Sequence, residues 1–393
     1  MNVEGEILIE LHRGQRRVEK VAVGSSRPLQ LTTLFEGKSV NELLSLLPML
    51  YSVCATAQAS AAAQACRHAM GIDGVARIEL AEKMLVNVET AREHLWRLLI
   101  DWSKSINEPV DRALTSSLST LLPTAKNACF EDSELFTLRP ALAVDSERFR
   151  SVIERISETA ADAVFSIPPA EWYAMSTIEV FDRWLDQTAT PSAKLLRRIR
   201  EQQAGHLADA GCYPLPNIDP QALTRRLADE DADKFIATPD WNGAQFETSS
   251  LTRMAAHPLL QRLGNQYGFG LMTRMVARLL ELASIPGRLS TQLMSLIGDH
   301  VDSERLGSKR VMEEGLGLVE AARGRLIHRA VVHNEKIAKY QILAPTEWNF
   351  HPRGVVAKGL LTLPAMDVSL LKEYANLFIN SVDPCVGYRL EVI

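Results

Sequence analysis

The sequence predicts a predominantly helical α+β protein with a short β-hairpin near each end. Three observations carry this prediction. Apolar and polar residues alternate on both sides of a turn in residues 5–23, helical periodicity runs through most of 40–303, and alternation returns after Gly315. The expected organisation is a single domain over residues 1–393: an N-terminal hairpin within 1–30, a helical body over 40–303 and a mixed C-terminal part over 315–393.

The first hairpin is GEILIEL and RVEKVAV, joined by His12-Arg13-Gly14-Gln15. A helix follows around NELLSLLPML, then an Ala-rich stretch, CATAQASAAAQACRHAM, whose small side chains let neighbouring elements approach closely; Gly71 and Gly74 end it. Helical periodicity continues at 79–105, 145–165, 169–187 and 192–209, with Pro168 and Pro191 near helix starts, where the missing N–H is tolerated. Residues 210–243, rich in Pro, Asp, Asn and Gly, form the expected long connection, and two long helices are expected at 251–285 and 287–303. GRLIHRAVVHN and KIAKYQILAP read as the second hairpin, and SLLKEYANLFINSV as a last helix before DPCVGYRLEVI.

With 393 residues, 46% of them hydrophobic, the chain can bury a large core. Its net charge of -5, without a long run of one sign, gives no nucleic-acid footprint, and Arg197, Arg198 and Arg200 read as a solvated helix face. No stretch reaches the roughly 18 apolar residues of a membrane span, and the N-terminus has no signal pattern, so the expected location is cytoplasmic, with neither membrane nor nucleic acid as partner. The five cysteines, Cys54, Cys66, Cys129, Cys212 and Cys385, are irregularly spaced and include no CxxC pair, so reduced thiols are expected.

Four segments, in order, resemble the signature regions of nickel-iron hydrogenase large subunits. VEGEILIE is similar to the opening strand R-I-E-G-H-x-x-x-E, with Glu4 on the family's glutamate and Glu6 in place of its histidine. LYSVCATAQA resembles R-I-C-G-V-C-P-V-A-H; Cys54 falls on the second cysteine, which bridges nickel and iron, while Tyr51 replaces the first and Gln58 the histidine. EAARGRLIH and KYQILAPTEWNFHPRG are similar to E-A-P-R-G-x-L-x-H and Y-Q-x-x-x-P-T-T-W-N-x-S-P-R, placing Arg323 where the family holds an arginine over the iron's cyanides. SVDPCVGYRLEV resembles S-F-D-P-C-L-A-C-A-x-H; Cys385 matches the first cysteine, Tyr388 replaces the second and Glu391 the histidine. LFEGKSVNELLSLLP and EHLWRLLIDW resemble further family segments, the latter putting Asp101 near the site. The family's magnesium glutamate falls near Thr32 and its C-terminal histidine at Glu391, so the magnesium site is expected to be lost. The family's precursors carry a tail that is removed after nickel insertion; with Ile393 two residues beyond Glu391, no such tail is expected here.

The resemblance implies a nickel-iron hydrogenase large-subunit-like fold that has kept two of four metal thiolates. Tyr51 and Tyr388 are poor metal ligands at neutral pH, and their rings are expected to fill the space nickel needs, so neither bound nickel nor hydrogenase activity is expected. Cys54 and Cys385 suit a low-spin iron, with Arg323 supplying donors to cyanide nitrogens and Asp383, Asp101 and Glu4 around it. In the family this thiol pair is one bridging and one nickel-terminal position. Such losses resemble the HupK/HoxV group of hydrogenase maturation proteins. That resemblance implies a non-catalytic scaffold that transiently holds or completes an Fe(CN)2(CO) fragment and passes it to the hydrogenase large-subunit precursor. The implied partners are a HypC-type small chaperone and a HypD-type iron-fragment assembly protein.

Cys54 and Cys385 fit equally as small buried residues, as Cys66, Cys129 and Cys212 do. Arg323 has Glu320 or Asp383 as alternative ion-pair partners, and Asp383 can cap the turn before Cys385. His328 and His333, five apart on a strand, face opposite ways and do not share a metal. The competing functional class is a metal-free interaction protein of the same fold.

Overall fold

A computed structural model describes residues 5–51, 53–130, 136–298 and 313–393. Glu4 lies outside the described residues, as does the end of the helix expected at 287–303.

Strands β1 (Glu6–Arg13) and β2 (Val18–Ser25) form the expected antiparallel hairpin. Ile7, Ile9 and Leu11 alternate onto the buried face, which fixes the register, since a one-residue slip would turn them to solvent. The hairpin is not alone. The C-terminal residues Gly387–Val392 return as a strand that pairs with β1 in parallel, Tyr388 opposite Ile7, giving the order β2, β1, last strand. Nothing local announces this pairing, because its partners stand at opposite ends of the chain.

The second hairpin is likewise three-stranded: β3 (Glu314–Ala321), β4 (Gly324–His333) and β5 (Lys336–Leu343) form an antiparallel meander. Asn334 and Glu335, with φ of 49° and 60°, make the left-handed turn that matches strand twist between β4 and β5. His328 is buried and His333 exposed, as their spacing predicts. The strand Gly387–Val392 is β6.

Helix α1 (Val40–Leu50) starts from a capping box in which Ser39 and Glu42 satisfy each other's backbone N–H groups. Helix α2 (Ala55–Ala69) is the Ala-rich segment, and its small side chains serve the expected close packing. A Cβ added at Gly317 of β3 would lie 1.9 Å from the Ala61 carbonyl oxygen, and one at Gly315 would lie 2.2 Å from that of Ala65. Helix α3 (Ala76–Trp96) continues into a π turn, Arg97–Trp102.

Several expectations change in the helical body, and the helix expected at 192–209 ends at Glu201. Residues 169–187 split into Pro169–Tyr173 and Ile178–Gln187, the second capped by Thr177. The segment expected as two long helices around Pro286 forms Ser250–Met254, Pro258–Tyr267 and α4 (Leu271–Ile297), and α4 runs through Pro286 without a break. The break before α4 falls at Gly268, where φ is +64° and a Cβ would meet Asp209 at 2.1 Å. Pro286 is tolerated because Ile285, Leu289, Leu293 and Leu296 keep the following turns in the core. The connection at 210–243 also holds two short helices, Pro220–Ala228 and Ala232–Ala237. The short α5 (Pro345–Asn349) and the final α6 (Val368–Val382) complete the frame around the site. Among the described residues no helix is long and apolar enough to cross a membrane.

Candidate metal-fragment site

Cys54 stands at the N-cap of α2, yet its side chain makes no cap hydrogen bond. Glu89 of α3 takes that role from across the interface, accepting from the Thr56 N–H at 2.9 Å and the Ala57 N–H at 3.0 Å. One turn on, the Gln58 amide donates to Cys54 Sγ at 3.7 Å. Cys385 follows α6 through Asp383 and Pro384. Asp383 is the C-cap residue, with φ +68°, and this left-handed step turns the chain inward. Cys385 Sγ lies 2.8 Å from the Thr346 hydroxyl of α5, and its N–H also reaches that oxygen, at 3.4 Å. The two thiols, 331 residues apart in the sequence, lie within electrostatic reach of each other. Burial, then Cys385 and Glu89, push the Cys54 thiol up to about 12, and Arg323 and Gln58 offset only part of this.

Beside the thiols lies a buried charge cluster. Arg323, at the β3–β4 turn, is fixed through its backbone: Asn349 of α5 donates to the Arg323 carbonyl at 3.1 Å and to that of Thr248 at 2.7 Å. Its guanidinium contacts Glu93 at 3.1 Å and Asp383 at 3.5 Å, while Arg97 and Arg278 approach Asp383 at 2.9 and 3.5 Å. Burial opposes charge on Asp383, but Arg323, Arg97 and Arg278 outweigh it and hold the carboxyl well below the usual range. Burial likewise lowers the Arg323 guanidinium, but Asp383 and Glu93, with the two thiols, carry it above its ordinary value. Among the described residues Arg323 Nη1 is buried without a hydrogen-bond partner, and both thiols act electrostatically on this guanidinium. Of the alternative partners, Asp383 is Arg323's and Glu320 is not; Glu320 pairs with Arg325 at 2.8 Å. The Asp383 carboxyl is spent on guanidiniums rather than on the turn before Cys385.

A model of nickel-dependent hydrogenases matches residues 201–387. The hydrogenase expression/formation protein HoxV of Cupriavidus necator is 29% identical over 379 residues, covering 94% of this chain and 92% of that protein. HupK of Rhizobium leguminosarum bv. viciae, likewise named a hydrogenase expression/formation protein, is 29% identical, covering 99% and 96%. This chain is similar to the HupK/HoxV proteins and, over its C-terminal part, to nickel-dependent hydrogenases. The fold agrees: the reduced Ni-Fe-Se hydrogenase of D. vulgaris Hildenborough superposes with a TM-score of 0.66 at 16% identity, covering 95% of this chain and 94% of that one.

Within this large-subunit-like frame, the substituted positions diverge. Tyr51 is buried in the same electrostatic neighbourhood as Cys54, Cys385, Arg27 and Glu347. Tyr388 does not do this. Its hydroxyl donates to Asn376 at 3.0 Å and Asn380 at 3.4 Å on α6, because residue 388 belongs to β6 and that strand packs against the helix. Glu391 is exposed on β6. Asp101 lies on the π turn at the rim, 2.7 Å from Arg97, and so is joined to Asp383 through that arginine. Val53, Glu93, Arg97, Asp101 and Arg323 line a cleft of about 470 Å³ leading from solvent toward the arginine. Among the described residues, no three His, Cys, Asp or Glu side chains gather as a metal-holding group.

Sequence reasoning missed Glu89, Thr346, Arg27 and Glu347. The last carried a signal, since a glutamate stands where the family motif P-T-T-W-N has a threonine. Arg27, in no motif, carried none.

Proposed function

We propose that the chain is a non-catalytic hydrogenase maturation factor that holds or completes an Fe(CN)2(CO) fragment on Cys54 and Cys385 and passes it to the hydrogenase large-subunit precursor. The observation that carries this reading is that two thiols from distant motifs lie within electrostatic reach of each other and of the buried Arg323 guanidinium, whose Nη1 has no hydrogen-bond partner among the described residues. A low-spin iron takes soft thiolates, and cyanide nitrogens accept from a buried guanidinium. Cys54, with its pKa near 12, stays protonated at neutral pH until a metal displaces the proton, so the site suits a transient guest. The names of the relatives, hydrogenase expression/formation proteins, support a maturation role. A HypC-type chaperone and a HypD-type assembly protein are the proposed donors, acting in the cytoplasm, and release is thiolate exchange, with no nickel to lock the fragment in place.

Infrared spectroscopy between about 1900 and 2150 wavenumbers, the region of cyanide and carbonyl stretches on low-spin iron, tests this. The sample is protein purified anaerobically from cells with the maturation machinery, with metal analysis alongside. Cyanide and carbonyl bands with iron and no nickel, lost in Cys54→Ala and in Cys385→Ala, are expected. A silent spectrum without iron in material that still supports hydrogenase maturation would leave the metal-free interaction protein as the better reading.

A further inference from the structure

Arg27 belongs to no motif of the family, yet several contacts hold it in place. Gly5 has φ +75°, and a Cβ there would lie 2.7 Å from the Arg27 Cα, so the chain after β2 crosses directly over the start of β1. The Ser26 N–H donates to the Glu6 carbonyl at 2.9 Å, the Glu6 N–H donates to Ser26 Oγ at 2.9 Å, and the Arg27 N–H donates to Ser25 Oγ at 3.2 Å. The guanidinium is thereby carried inward to Glu347, at 2.6 Å, with the two side chains only 11% and 9% exposed. Among the described residues Glu347 Oε2 is buried and has no hydrogen-bond partner, so the carboxylate is not fully engaged by Arg27.

This pair adjoins the thiols. Glu347 follows Thr346, whose hydroxyl is 2.8 Å from Cys385 Sγ, and Arg27, Thr346 and Glu347 line one cavity of about 210 Å³. The Arg27 guanidinium is in turn within electrostatic reach of Glu347, Cys385, Tyr51 and Cys54. Cys54 and Cys385 therefore have two buried guanidiniums as neighbours, Arg323 and Arg27, and the second is one that the family motifs do not place.

We infer that Arg27, held by Glu347, is a specificity-determining residue of the thiol pair, favouring an anionic metal complex over a bare divalent cation. The inference rests on the reading of Cys54 and Cys385 as the metal thiols. When each thiol gives its proton to solvent and binds a bare divalent ion, the product is electrically neutral, and a neighbouring cation gains little. When the ion also carries two cyanides, the bound complex is a dianion, and a buried cation stabilises it strongly in a medium of low dielectric. Arg323 offers donors to the cyanides; Arg27 supplies charge on the side of Thr346 and Glu347.

The test compares Arg27→Gln, which is neutral but still able to donate to Glu347, with Arg27→Lys, which keeps the charge. Each full-length protein is prepared in two ways. In one, it is purified anaerobically from maturation-competent cells and its cyanide and carbonyl band intensity per chain is measured. In the other, the apoprotein is titrated with Zn²⁺ alone by chelator competition, with the Cys54→Ala/Cys385→Ala protein as background. Arg27→Gln is expected to lose about tenfold in band intensity while its zinc affinity stays within about threefold of wild type, and Arg27→Lys to recover most of the bands. Full bands in Arg27→Gln would overturn the inference, and so would an equal fall in bands and zinc affinity, which marks a merely structural role. A wild-type protein without bands refutes the scaffold reading itself, an outcome distinct from either.

Discussion

Asp383→Asn tests whether the charge cluster is a single electrostatic unit. The carboxylate is 3% exposed and lies among three guanidiniums, of which Arg278 and Arg323 are themselves 2% and 4% exposed. Removing the charge while keeping the shape leaves Arg97 with Asp101 and Arg323 with Glu93, but takes from Arg278 the one carboxylate paired with it among the described residues. Arg278 keeps a hydrogen bond to the Asn380 carbonyl at 2.8 Å, while among the described residues its Nε and Nη1 already lack partners. Breaking a buried ion pair by removing one partner costs about 3–5 kcal/mol, so a loss of about 4 kcal/mol at pH 7 is expected. With an unfolding entropy of about 2.1 cal/mol/K per residue over 393 residues, this lowers Tm by roughly 5 °C. The acid limb gives a second reading. The folded-state pKa of Asp383 lies below the roughly 3.9 of an unfolded Asp, so its contribution is complete above about pH 4 and is lost as pH falls further. Thermal melts followed by circular dichroism from pH 7 down to 3 should show the gap between wild type and Asp383→Asn narrowing below pH 4. A Tm change under about 1 °C at pH 7, or a gap that widens in acid, would refute the cluster as described.

Two further outcomes follow from the packing and the thiol environment. Gly317→Ala places a methyl group 1.9 Å from the Ala61 carbonyl and must push β3 off α2, an overpacking cost of about 1–3 kcal/mol; a urea unfolding midpoint equal to wild type would show that the approach is not rigid. In the apoprotein Cys54 has a pKa near 12, against about 8.5 for a free thiol, so at pH 7.5 it should be alkylated by iodoacetamide on the order of 10³-fold more slowly than a peptide thiol, with the rate still climbing with pH beyond 10. Peptide mass spectrometry reads this directly, and a rate that levels off near pH 8.5 would contradict the burial argument.

What the sequence revealed is what short-range pattern can encode. The alternation in GEILIEL, the Ala-rich run after Cys54 and the two hairpin turns each arise from neighbours in the chain, and each appears in the structure. The misreadings have one origin in non-local contact. Pro286 reads as a helix start, but the buried residues around it carry α4 through. Gly268 reads as an ordinary helix position, but Asp209 occupies the space its Cβ would need. The ring of Tyr388 was expected beside the thiols, yet its strand pairs with residues 6–11 and its hydroxyl faces α6. Arg27 and Glu347, 320 residues apart, have meaning only as a pair.

The thiol pair and the charge cluster are one construction. Cys385 reaches Thr346 because the chain leaves α6 at Asp383 with a positive φ, a conformation that disfavours most side chains. The carboxylate of that residue is held by Arg97, Arg278 and Arg323 from three other elements, so the strained turn is fixed by the same contacts that place Arg323 beside the sulfurs. Loosening the cluster must therefore move the ligand position and the cyanide donor together. It follows that Asp383→Asn should reduce retention of the iron fragment even at temperatures where the fold is intact, whereas Gly317→Ala, which strains β3 against α2 away from this turn, should spare it once the chain is folded.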